Sequence, residues 1–103
     1  MIEDAAEIRA YLEEYSPEAI LWDNCDSALI GTARIKRDGE WNTVAMYSYE
    51  HLVIYFMEDF RKSYEDREEL ITDNELESLA IEYVDFNIHG AYVGPFTPLI
   101  IYN

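Results

Sequence analysis

Asp23, Cys25 and Asp26 place two carboxylates and a thiol close together, and His51 and His89 are the histidines that could join them. A zinc ion would need about four nitrogen or sulfur ligands in a tetrahedron, and one Cys with two distant His falls short. Magnesium or calcium would need further oxygen ligands beyond the Asp pair. A thiolate nucleophile would need a His brought beside it by the fold, and nothing in the spacing selects His51 or His89 for that role. The spacing favours Asp23 and Asp26 as caps of local turns, because Asp bonds its own following backbone. Cys25 reads as a small buried side chain. No catalytic set, metal site or cofactor is expected, so the chain reads as a non-enzyme.

A second constellation is Phe86, Asn87, Gly90, Ala91 and Gly94. Asn is a poor helix-interior residue because its amide competes for backbone hydrogen bonds. Two uses fit it: tying a helix end to the loop over 90–97, which is the favoured one, or lining a small-ligand pocket near Asn87 and Gly90. Arg34, Lys36 and Arg37 form a basic cluster, but Asp38 and Glu40 beside them break up any nucleic-acid patch.

The strongest signal is charge. The 103 residues carry 22 Asp and Glu against 7 Lys and Arg, a net charge of −15. Residues 65–85 hold Glu65, Asp66, Glu68, Glu69, Asp73, Glu75, Glu77, Glu82 and Asp85 against Arg67 alone. Such a chain is repelled by nucleic acid and by anionic membranes, and attracts cationic proteins. Self-repulsion on this scale costs stability, so solubility alone does not demand it. A helix over 73–85 would be about 20 Å long with one carboxylate per about 4 Å, against one charge per about 1.7 Å in duplex DNA. DNA mimicry would therefore need the acids of 58–69, or those of the first helix, to line up beside it.

These residues must be held by a single domain. A hydrophobic fraction of 50% supplies a core for 103 residues and excludes disorder. The lone Cys25 excludes an internal disulfide and fits a reducing cytoplasm. The acidic start Met1-Ile2-Glu3-Asp4 is not expected to act as a secretory signal. The longest apolar run, Leu52 to Met57, is far below the roughly 20 residues of a membrane span.

The pattern predicts α-α-β-β-α-α-β. Helices are expected over 3–15, with Ile8, Tyr11, Leu12 and Tyr15 on one face, and over 17–22 behind Ser16 as N-cap. Asp38-Gly39 predicts a hairpin between strands at 28–35 and 41–47. Ser48 opens a helix over 49–64 with a stripe of Tyr49, Leu52, Val53, Phe56, Phe60 and Tyr64. Thr72 and Glu75 form a capping box before a helix whose inner side is Leu76, Leu79, Ala80, Tyr83 and Asn87. Leu99 to Tyr102 is the last strand, with Pro98 at its start. The expected class is α+β: a three-stranded, mainly antiparallel sheet with about four helices.

Leu21-Trp22-Asp23-Asn24-Cys25-Asp26-Ser27-Ala28-Leu29-Ile30-Gly31, then Val44-Ala45-Met46-Tyr47, then the run from Ala80 to Gly94 closed by Thr97-Pro98, resemble a family of small uncharacterised proteins of phages and bacteria. Departures are Asn24 where the family tends to carry Gly, Ser27 where it tends to carry Asp, and the Asp38-Gly39 tip. The resemblance implies a phage or mobile-element origin and no particular chemistry. Joined to the acidity, it points to an accessory protein in the host cytoplasm. Such a protein would bind and inhibit a cationic nucleic-acid-handling or defence protein, such as a nuclease or effector, as anti-CRISPR and anti-restriction proteins do. Alternatives are a scaffolding module with a solvated acidic face, a small-ligand domain, or an acidic surface adapted to high salt. The nine Tyr leave room for homodimerisation.

Overall fold

The computed structural model describes residues 4–102. Three strands, β1 (Leu29–Arg37), β2 (Glu40–Ser48) and β3 (Leu99–Ile101), form one sheet in that order. Three α-helices accompany it: α1 (Ala5–Tyr15), α2 (Tyr49–Asp66) and α3 (Asp73–Val84). A single 3-10 turn, Asp26–Ala28, precedes β1, and a π-helical turn, Asp85–His89, extends α3. The α+β class and the three-stranded sheet are as the sequence predicts.

The Asp38-Gly39 hairpin forms with Arg37 paired to Glu40 and Arg34 to Thr43. Both turn residues take positive φ, 54° and 81°, as a two-residue hairpin loop demands. The sheet is mixed rather than mainly antiparallel, because β3 runs parallel to β2 with Met46 opposite Leu99 and Ser48 opposite Ile101. A parallel neighbour needs a long crossover. Here α2, α3 and the loop over 90–98 supply it.

The second of the four expected helices, over 17–22, does not form. Ser16 spends its hydroxyl on the Thr43 carbonyl, 2.7 Å away, instead of capping a helix. The Ile20 N–H bonds the Phe96 carbonyl at 3.2 Å, so the segment is held by the tertiary fold. Asp4 is the N-cap of α1 and accepts from the Glu7 N–H; Glu3, also expected in that first turn, lies outside the described residues. Ile8 and Leu12 are buried, whereas Tyr11 and Tyr15 stay exposed with their rings tilted against each other, so the inward stripe is narrower than predicted.

Ile8, Leu12, Cys25, Ala28, Leu29, Ala45, Tyr47, Leu52, Val84 and Ile88 make one core. Tyr47 is fully buried, with its hydroxyl oxygen accepting from the Trp22 N–H at 3.0 Å and its ring against the Trp22 indole. Val44 on the opposite face is equally buried, so both faces of β2 are covered. On α3 the inner row is Leu76, Ala80 and Val84 rather than the expected set. Leu79 is half-buried, Tyr83 is partly exposed against Phe56 and Phe60, and Asn87 is exposed. A period of four along the helix rotates the inward line away from 79, 83 and 87.

Candidate functional site

The thiol–carboxylate constellation becomes a structural tie. Asp26 accepts from Arg9 Nε at 2.8 Å and Nη2 at 2.6 Å, which fastens the 3-10 turn to α1 and holds the guanidinium more firmly protonated. The expected local capping by Asp26 is absent; its carboxylate reaches another element instead. Asn24 beside it sits at φ 63°, left-handed backbone where Gly is freest and Asn the next most tolerant. Cys25 is buried, and desolvation, with Asp26 and Asp23 adding to it, pushes its thiol up, away from the thiolate a nucleophile needs. His51 lies exposed in the first turn of α2 with its Nδ1 2.9 Å from Ser48 Oγ. His89 ends the π-helical turn. Among the described residues, no group of three or more His, Cys, Asp or Glu is placed to hold a metal ion. No helix among them is long and apolar enough to cross a membrane.

Asn87 does not tie the loop, and a cavity of about 220 Å³ beside it is lined by Ile88, Gly90, Ala91 and Arg37 rather than by Asn87. The Asn87 amide donates to the Tyr83 carbonyl one turn back at 3.3 Å and faces solvent. The loop is fastened by Arg37, which the sequence reading placed in a surface basic cluster. Arg37 Nη1 donates to the carbonyls of Pro95 (3.0 Å) and Thr97 (2.7 Å), while Tyr92 lies against its guanidinium. The available signal was Arg37's inward-alternating position in β1, on the face of Ala33 and Ile35.

The nine acids of 65–85 are all exposed. Their roles differ. Asp73 pairs with Arg61 Nη1 at 3.2 Å, and Glu75 completes the capping box with Thr72. Asp85 accepts the Tyr49 hydroxyl at 2.8 Å; burial and that carboxylate push the phenol up to about 12. Glu69 lies 3.9 Å from Arg67. The carboxylates of Glu65, Asp66, Glu68, Glu77 and Glu82 have no hydrogen bond or ion pair among the described residues. On α3, Glu75 and Glu82 are seven residues apart, about 10 Å along one face, far sparser than duplex phosphates. By itself the helix falls short of duplex charge density, as expected; α2, which carries the acids of 58–66, packs beside it, with Arg61 reaching Asp73. α1 packs on the sheet against β1 and β2.

Charge instead gathers where α2 turns into α3. The Glu68 N–H bonds the Glu65 carbonyl (3.0 Å) and the Glu69 N–H bonds the Tyr64 carbonyl (2.9 Å), the paired bonds of a Schellman motif. That motif places its left-handed residue at Glu68, φ 56°, a position Gly normally fills. Glu65 and Asp66 occupy the last turn of α2, where the helix dipole disfavours anions. Arg67, the lone cation of the turn, folds back with its guanidinium 4.5 Å from the Tyr64 ring centre. Leu70 projects fully into solvent. The sequence points to the acids but not to Leu70 or the strain at Glu68, because the helix expected over 49–64 continues to Asp66 and only that extension makes Glu68 its C′ residue. No family model matches the chain, nor does any curated protein or solved structure.

Proposed function

We propose that the chain is a non-catalytic, phage-type inhibitor. It would dock the acidic turn between α2 and α3 onto a cationic host protein that handles nucleic acid, and so block it. The observation that carries this reading is the concentration of locally unfavourable choices in one turn. A left-handed Glu68 and two acids at a helix C-terminus each cost stability, a bare Leu70 contributes nothing to the fold, and none of them gains an internal partner. Departures from local rules that serve nothing inside the fold gather at functional sites. Leu70 would enter an apolar pocket on the target, while Glu65, Asp66 and Glu68 face the Lys and Arg around it. Competition at a nucleic-acid channel then needs a charged tip rather than a DNA-like stripe. Attraction of this kind speeds encounter and weakens with salt.

The test is capture of targets from host lysate, followed by binding of the captured protein to a variant carrying Glu65→Gln, Asp66→Asn and Glu68→Asn. These substitutions leave Asp73 and Glu75, which support the fold, untouched. Affinity at low salt is expected to fall about tenfold, chiefly through slower association, with a flatter salt dependence. Unchanged affinity at every salt concentration would leave the acids as a solvated face.

A further inference from the structure

The end of the sheet remote from the α2–α3 turn has an unfilled place in its hydrogen-bonded edge. In a two-residue hairpin the closing pair, here Arg37 and Glu40, points its N–H and C=O groups at each other. Alternation then turns the backbone of Trp41 and Thr43 away from β1, to the side where β3 lies. β3, however, starts only at Leu99 opposite Met46. Upstream of it the chain folds off, held by the Thr97 N–H and hydroxyl on the Gly94 carbonyl. The Thr43 carbonyl is taken by Ser16. Among the described residues no hydrogen bond from that side reaches the Thr43 N–H or the N–H and C=O of Trp41.

A cleft of about 390 Å³ opens at this place. Its floor is three consecutive residues, Trp41, Asn42 and Thr43. Consecutive strand residues point to opposite faces, so a cleft touching all three meets the strand edge-on. Tyr15, Pro17, Glu18 and Phe96 form the walls. Trp41 and Tyr15 are 60% and 65% exposed, which leaves two large rings uncovered beside free backbone groups. Glu18 is the charged wall residue, and its carboxylate has no partner among the described residues. Arg34 is turned onto the Trp41 ring at 5.5 Å, and Lys36 lies across from Trp41 on β1.

We infer that this edge is a docking slot for a short extended peptide bearing Lys or Arg, which pairs with Trp41 and Thr43 as a partial continuation of β3. Strand addition gives backbone bonds for affinity and side-chain pockets for selectivity. Trp41, Tyr15 and Phe96 cover the apolar residues of the peptide, and Glu18 faces a cationic one. The site shares no residue with the acidic turn and does not depend on it.

The probe is an acetylated, amidated Val-Lys-Val-Lys-Val-Lys peptide titrated into the full ¹⁵N-labelled chain. Its controls are the same peptide N-methylated at alternate residues and its Val-Glu counterpart. Amide signals of Trp41 and Thr43 are expected to move, and both controls to bind about tenfold more weakly, having lost edge donors or the right charge. Trp41→Ala should weaken the parent peptide about tenfold, and Glu18→Gln should weaken it less and flatten its salt dependence. The peptide comparison alters no protein residue, so it decides the matter even if a variant fails to fold. Equal binding of the N-methylated peptide would overturn the proposal. Shifts confined to the α2–α3 turn, or self-association of the chain through this edge, would do the same.

Discussion

Two of the chain's left-handed turns, the hairpin tip and the α2–α3 turn, are built on opposite terms. At Asp38-Gly39 the residues are those the geometry asks for, and the turn sets a register that carries nine-residue strands. At the α2–α3 turn a Glu occupies the left-handed place, anions crowd a helix C-terminus, and a leucine faces water. The first turn is explained by folding alone. The second is tolerated by a fold whose core lies elsewhere, which is what a surface kept for a partner looks like in free-energy terms.

The largest contrast comes from the same substitution in both regions. Leu12→Ala empties a buried site between α1 and the sheet and should cost about 2–5 kcal/mol by chemical denaturation. Leu70→Ala should change stability by less than about 0.5 kcal/mol. A cost at Leu70 near that at Leu12 would mean that the leucine packs in solution.

Exchanging glycine between the turns gives effects of opposite sign. Gly39→Ala places a Cβ in open space but at φ 81°, so the loss of about 1–2 kcal/mol is purely a backbone effect. Glu68→Gly should stabilise by about 1 kcal/mol, raising Tm by roughly 4–8 °C for a chain of this size. Calorimetry on the pair reads both signs, and a destabilised Glu68→Gly would show that the turn is not strained.

The smallest effect is the alkaline limb of stability. Tyr49 keeps its proton up to about 12 in the folded chain, above the ordinary tyrosine value near 10. Between those values the folded state binds more protons than the unfolded one, so stability falls as pH rises through the window. Tyr49's contribution is fully present below about pH 10. Tyr49→Phe should shallow this slope and leave neutral-pH folding in place; an unchanged slope would assign it to other groups.

The hairpin, the Ser48 cap, the Thr72–Glu75 capping box and a last strand behind Pro98 were legible in the sequence, because each is set by residues within a few positions of one another. The segment over 17–22 was misread because Ser16 and Ile20 bond partners 27 and 76 residues away, on Thr43 and Phe96, which no local pattern reveals. The parallel pairing of β3 and the clamp of Arg37 on the 90–98 loop were hidden for the same reason. Of the candidate site, the acids and their density could be counted. Which of them serve the fold, as Asp73, Glu75 and Asp85 do, and which stand unengaged, depended on where Arg61, Thr72 and Tyr49 come to lie.

Glu68→Asn tests the central claim most directly, since Asn tolerates the left-handed turn and carries no charge. The measurement is its Tm together with its affinity, across a salt series, for the protein that the wild-type chain captures. The account predicts an equal or higher Tm with weaker, less salt-sensitive binding. A higher Tm with affinity and salt dependence both unchanged would contradict it, leaving the strain at Glu68 without a binding role.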